Sequence, residues 1–254
     1  MLRNRTDRPA LLPQLGDLFL MELTNWRWSW RTLVITGTIT PLLSMLALGV
    51  FARGSGAETQ AYILTGNIVL ALMFGMMEKL QSRFMFMRIT GALDYFATLP
   101  IQRSLLILAI VLSFLALMLP ALVVIISVGA LLLGVSLSLN PVLLLVIPLC
   151  AVPLSGIGAL IGSLARTPEE SGAISLLVTF MLLGLGPVVI PASRLPGVIL
   201  ILGWLSPATY AASALRQALL GPVTLRLLLD LAVLVGLSIV IFWLVSLKMR
   251  WRQT

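Results

Sequence analysis

The chain has 254 residues, of which 59% are apolar and 10% charged, with a mean hydropathy of +1.09. Ordinary soluble domains carry roughly 25% charged residues, so this composition excludes a water-facing surface over most of the chain and points to lipid as its solvent. The net charge of +8, from 17 Lys and Arg against 9 Asp and Glu, falls mainly between the apolar runs, as topology signals do, which argues against a nucleic-acid face.

Lipid forces backbone groups to pair within helices or closed barrels, and the apolar runs here are long enough for helices. The predicted fold is all-α: a polytopic membrane bundle of six transmembrane helices in a single domain, 1–254. Histidine is absent, which removes Ser-His and Cys-His nucleophiles, His-ligated zinc and His-ligated haem together. The lone cysteine, Cys150, lies in an apolar stretch, so no intrachain disulfide can form. The basic start, with Arg3, Arg5 and Arg8, has no early apolar run or small-residue cleavage site and reads as retained.

Between 13 and 31, Leu15, Leu18, Phe19, Leu23, Trp26 and Trp30 recur at three- and four-residue steps, opposite Gln14, Asp17, Thr24, Arg27 and Arg31. This is an amphipathic helix, expected at the headgroup level because of its Trp and Arg content; a soluble cap packed on the bundle is the alternative. The first span is placed at 33–52, 20 residues or about 30 Å, the thickness of the hydrocarbon layer. The second is placed at 61–77, followed by a polar link from Glu78 to Arg103, and the third at 104–133.

The fourth span is placed at 141–165, broken by Arg166, Thr167, Pro168, Glu169 and Glu170, and the fifth at 171–190. Between 191 and 222 lie two apolar pieces divided by Gly203 and Pro207. Each is too short to cross, the length class of re-entrant or interfacial helices. The last span is 225–247, ending in Lys248, Arg250 and Arg252. Thirteen Lys and Arg fall at the two ends and the links after spans two and four, against four on the other side (Arg53, Arg194, Arg216, Arg226). The asymmetry places both termini in the cytoplasm of a multi-pass protein of the plasma membrane, a bacterial or archaeal inner membrane.

A phosphate-binding loop needs Gly-Lys-Ser/Thr, and the only lysines are Lys79, after Glu78, and Lys248, after Leu247. The chain carries no catalytic site and no metal site by any motif. Ser155-Gly156 lies in a span with no base nearby. Gly156, Gly158 and Gly162, with Ser155 and Ala159, allow close helix contact, inside one bundle or between subunits. Thr36, Thr40 and Ser44 form a stripe on the first span and Asn67 adds a polar group in the second. They are candidates to line a substrate path, although interhelical hydrogen bonding is the commoner use of such groups. Arg226 and Asp230, four residues apart, are able to pair. No ionisable group sits at a midplane, which disfavours an ion-coupled secondary transporter.

Two segments are more informative. From Gly91 to Pro100, with Leu93, Asp94, Tyr95, Phe96 and Leu99 between them, the link after span two reads as a short helix. Leu93, Phe96 and Leu99-Pro100 are expected to form an apolar patch outside the membrane, as a partner surface would. The segment before the last span contains Leu195-Pro196, Ser206-Pro207, Tyr210, Leu215-Arg216 and Gly221.

These two stretches resemble the membrane-spanning permease subunits of the type 2 ABC exporters. The first is similar to that family's coupling helix at Gly91, Leu93-Asp94, Leu99-Pro100 and Arg103. The second is similar to its paired re-entrant helices at Leu195-Pro196, Ser206-Pro207, Tyr210, Leu215-Arg216 and Gly221. One position departs: members often carry Glu just before the coupling Gly, and here it is Thr90, which leaves a charge contact with the ATPase unsupported there.

The resemblance implies a separate cytoplasmic ATP-binding subunit that holds the ATP and Mg, a second permease subunit as homodimer or heterodimer, and outward transport. No cofactor is expected in this chain. Because the spans offer hydroxyls and Asn67 but no midplane charge, the expected substrate is amphipathic or lipid-like. The alternatives are a non-transporting membrane anchor or assembly factor, and an ion-coupled secondary transporter.

Overall fold

The computed structural model describes residues 11–26, 30–52, 54–98, 103–138 and 140–248. Among them the elements are helices, with no strand. Four helices are long and apolar enough to cross a membrane, and a fifth crossing exists if one sharply bent pair counts as a single span. The chain is an all-α, multi-pass membrane protein.

Helix α1 (Leu11–Trp26) precedes α2 (Trp30–Phe51). The amphipathic segment expected at 13–31 is helical over its described residues, 13–26 and 30–31, and residues 27–29 lie outside the described ones. α1 packs on the bundle: its Phe19 carbonyl accepts a hydrogen bond of 3.2 Å from Ser113 Oγ, and Leu18 is buried. The apolar face predicted by its periodicity therefore finds protein as well as any lipid beneath it.

The second span differs most from expectation. Helix α3 (Ala57–Leu72), a wide π-type turn (Met73–Met77) and α4 (Glu78–Ile89) form one continuous helix from Ala57 to Ile89. At 33 residues it is about 50 Å long, some 20 Å more than the hydrocarbon thickness. The expected polar link is helical because nothing in it breaks a helix. No Pro occurs between 57 and 98, and Glu78, Lys79, Gln81, Arg83 and Arg88 are good helix formers. Hydropathy marks where lipid ends, and the helix continues past that point.

The helix stops at Gly91, whose φ of 69° is left-handed. Only Gly adopts that conformation at little cost, and it is the usual means of ending a helix. Helix α5 (Ala92–Thr98) follows, then α6 (Arg103–Leu133). The sulfur of Met118 lies against Gly75 of the wide turn and 3.5 Å from where a Cβ on Gly37 would stand. These three residues therefore share one level across α2, α6 and the long helix.

From that level α2 runs down seven residues to Trp30, about 10 Å, whereas α4 runs fourteen residues to Ile89 and α6 fifteen to Arg103, each more than about 20 Å. The described parts of α4 and α6 thus reach further than that of α2, and α5 follows α4 and packs on it.

Helix α7 (Leu143–Leu164) is laid tightly on the long helix. A Cβ on Gly158 would collide with the Met77 carbonyl and one on Gly162 with the Gln81 carbonyl. Backbone meets backbone here because both positions lack a side chain. Helix α8 (Pro168–Gly184) starts earlier than the expected 171: Thr167 Oγ1 accepts the Glu170 amide at 3.2 Å, Pro168 opens the first turn, and the Glu170 carboxylate accepts the Arg166 amide at 2.8 Å.

α8 also ends earlier, at Gly184 and not at 190, since Gly186 has φ 126° and Pro187 follows. Its 17 residues span about 26 Å. Helices α9 (Gly197–Gly203) and α10 (Pro207–Leu220) meet at 87°, and α11 (Leu225–Lys248) closes the bundle.

Candidate functional site

Three groups of predicted residues fall at three places in the bundle, and the structure does not gather them into one pocket. The first is α5. Gly91 supplies the left-handed turn that reverses the chain out of α4, and the Tyr95 amide donates to the Gly91 carbonyl at 3.3 Å. Thr90, at the departing position, donates its hydroxyl to the Phe86 carbonyl at 2.8 Å and so serves the end of α4.

Phe96 is 9% exposed and belongs to the main core, whereas Tyr95 beside it is 64% exposed, the two rings edge to face at 6.0 Å. The expected outward patch is therefore corrected at Phe96, which is directed into its own chain, and Tyr95 is the aromatic group presented outward. Leu93 and Asp94 lie in the helix, but their side chains are outside the described residues, as are Leu99 and Pro100 entirely.

The second group is the bent pair. Pro196 and Pro207 stand at the starts of α9 and α10, where a missing amide proton costs nothing. The Tyr210 hydroxyl donates to the Trp204 carbonyl at 2.7 Å, tying the corner between them. The Arg216 guanidinium lies over the Tyr62 ring, 3.4 Å from its centroid, and one of its nitrogens reaches the Pro187 carbonyl at 3.5 Å. Such stacking fixes α10 against α3.

Asp230 takes its hydrogen bonds from Ser213 Oγ at 2.6 Å and Gln217 Nε2 at 3.2 Å, both on α10. The expected Arg226–Asp230 ion pair is replaced by this link, which ties the bent pair to the last helix.

The third group, the candidate path, is dispersed. Asn67 is buried and donates to the Ile63 carbonyl at 2.8 Å, leaving its side-chain oxygen without a partner. Thr40 is exposed on α2, Ser44 is half-buried, and the side chain of Thr36 is outside the described residues. Among the described side chains of α2, Thr38 is a buried hydroxyl, bonded to the Val34 carbonyl at 2.7 Å.

Residues that the sequence reading passed over form a fourth group at the base of the bundle. Arg83 of α4 is paired with Glu22 of α1 at 2.5 Å, with the Glu22 side chain fully buried. Gln81 donates to Ser171 Oγ of α8, and Arg88 donates to the Ala165 and Ser163 carbonyls at 2.5 and 3.2 Å, capping the end of α7. Three polar side chains of one helix thus hold three other helices. Their one sequence trace is that Gln81 and Arg88 share a face seven residues apart.

Among the described residues no group of His, Cys, Asp and Glu is arranged to hold a metal ion. The arrangement comprises apolar spans, a short helix at the end of the long helix Ala57–Ile89, and a bent helical pair near the opposite end. No single curated protein matches the chain. The family model described as ABC-2 type transporter matches residues 14–220, from the start of α1 to the end of α10, and so covers both segments on which the likeness was drawn. With that match over most of its length, the chain belongs to the ABC-2 type transporter family, as a membrane permease component that works with a nucleotide-binding subunit.

Proposed function

We propose that the chain is the permease half of an ATP-driven exporter that moves an amphipathic or lipid-like substrate outward, as one of two permease subunits, with ATP and Mg held by a separate cytoplasmic subunit. Both termini and α5 lie on the cytoplasmic side of a bacterial or archaeal inner membrane, and 191–222 faces outside. The six spans are 33–52, 61–77, 104–133, 141–165, the fifth within α8 (Pro168–Gly184) in place of 171–190, and 225–247, with α2 and the short α8 crossing alongside the four long helices.

The observation that carries the reading is the placement of α5. It packs on the end of α4 and precedes α6 in the chain, and the described parts of both these helices run more than about 10 Å beyond that of α2. An ATPase docked there would push on two spans at once. Gly91, Leu93, Asp94, Tyr95, Leu99 and Pro100 would be the contact segment, and Phe96 its internal anchor. Pro196, Pro207, Tyr210 and Arg216 shape the outer end, and Thr36, Thr40, Ser44 and Asn67 remain the proposed path residues.

The test is reconstitution into liposomes of the chain with the ATPase that co-purifies with it. ATP-dependent movement of a short-chain fluorescent phosphatidylcholine, with turnover stimulated by it, is expected. Stimulation by a small inorganic ion and by no amphiphile, or transport driven by an ion gradient without ATP, overturns the reading.

A further inference from the structure

The helix from Ala57 to Ile89 is interrupted by one wide turn, Met73–Met77, where the Glu78 amide reaches back to the Met73 carbonyl. A π-type turn carries an extra residue, is rare, and occurs mostly at functional positions. Gly75 sits at its centre, and a Cβ there would collide with the sulfur of Met118. Met45, Met73, Met76, Met77 and Met118 are all fully buried. Methionine side chains are unbranched and polarizable and repack at small cost, so the irregular turn is set in the most deformable part of the core.

On either side of the turn the helix is anchored separately. Below it, α4 is joined to α1 by Arg83–Glu22, to α8 by Gln81–Ser171, and to α7 by the Arg88 cap and the backbone contact at Gly162, while Gly158 of α7 abuts the Met77 carbonyl at the lower edge of the turn. Above it, α3 is held at the opposite end: a Cβ on Gly66 would stand 2.8 Å from the Val188 carbonyl, and Tyr62 lies under Arg216. The two halves of one helix thus lean mainly on different neighbours, α7 and α8 below and α2, α6 and α10 above, and meet at a soft, irregular turn.

We infer that α4, α5 and the adjoining ends of α1, α7 and α8 form one rigid body, and that the turn Met73–Met77 is the pivot on which this body swings relative to α3. The arm from Gly75 to Ile89 is about 20 Å, so a rotation of about 10° moves its tip by roughly 4 Å, on the scale of helix shifts that switch packed interfaces. The use of this swing in energy coupling rests on the reading of α5 as the ATPase contact. The swing itself does not, and its test involves no ATPase.

Spin labels on paired cysteines in the full chain, in nanodiscs of phosphatidylcholine and phosphatidylglycerol, test it by pulsed distance measurement. Native Cys150 is fully buried and stays in place. Ile89→Cys with Leu43→Cys on α2 reads across the pivot, and Ile89→Cys with Leu20→Cys on α1 reads within the rigid body; all three sites are exposed. The expected result is a distance distribution several ångströms wider for the first pair than for the second, narrowed by Gly75→Ala combined with Met118→Ala, which removes the glycine and makes room for the new Cβ. Equal widths for the two pairs, or a broad distribution between Ile89 and Leu20, overturn the inference. The comparison of the two pairs in otherwise unaltered protein decides the matter even if the Gly75/Met118 variant does not fold.

Discussion

Glu22 and Arg83, 61 positions apart, meet at 2.5 Å where α1 crosses the base of α4, with one carboxylate oxygen of Glu22 and the Nε of Arg83 buried and without a further partner. The pair is incompletely satisfied, so its net contribution to stability is small while each charge depends on the other.

Removing one partner strands the other. Arg83→Gln and Glu22→Gln each lower stability by about 3 kcal/mol or more, whereas Glu22→Met combined with Arg83→Met recovers most of the loss. Cys150 provides the readout, since a thiol-reactive dye reaches this fully buried thiol only when the bundle opens. Equal unfolding temperatures for the single and double variants would show that the pair does not carry α1.

The close approach of α7 to the long helix predicts an ordered glycine series. Gly158→Ala and Gly162→Ala drive a methyl group into the carbonyls of Met77 and Gln81, whereas Gly172→Ala and Gly236→Ala meet nothing within 4 Å. The first two cost upwards of about 2 kcal/mol by overpacking, and the last two are neutral or slightly stabilising because Ala favours the helix. The same thiol assay ranks them.

Much of the fold was legible because lipid imposes a coarse code: apolar length, and punctuation by Gly, Pro and charge. Where the punctuation is chemical, the reading came close, as at Thr167-Pro168 and Gly91. Where it was inferred from hydropathy alone, it bounded the apolar stretch and not the helix, since Glu78 to Ile89 is polar and still helical. Glu22 and Arg83 lie on different helices, so no periodicity connects them. The direction of Phe96 was misread because a helix of seven residues has too few turns for its apolar pattern to select a face.

Orientation is checked at exposed sites at opposite ends. Gly56→Cys and Ser193→Cys, both exposed, react in intact cells with a membrane-impermeant maleimide, and Ser82→Cys on α4 reacts only after the cells are opened. Labelling of Ser82→Cys from outside would invert the topology drawn from the basic residues.

The last prediction separates the two aromatic residues of α5. Phe96 is buried in its own chain and Tyr95 is exposed beside it, so truncating them should damage different things. Phe96→Ala removes a packed ring at the junction of α5 with the bundle and lowers the unfolding temperature, by about 3 kcal/mol in stability if the site does not collapse. Tyr95→Ala leaves that temperature unchanged and weakens association with the ATPase. An exposed aromatic group at the tip of a projecting helix is the kind of anchor whose loss costs about 2 kcal/mol or more, roughly thirtyfold in affinity. Tyr95→Phe keeps the ring and most of the binding. Unaltered ATPase affinity in Tyr95→Ala, measured with the pair reconstituted in nanodiscs, would remove α5 from the coupling surface.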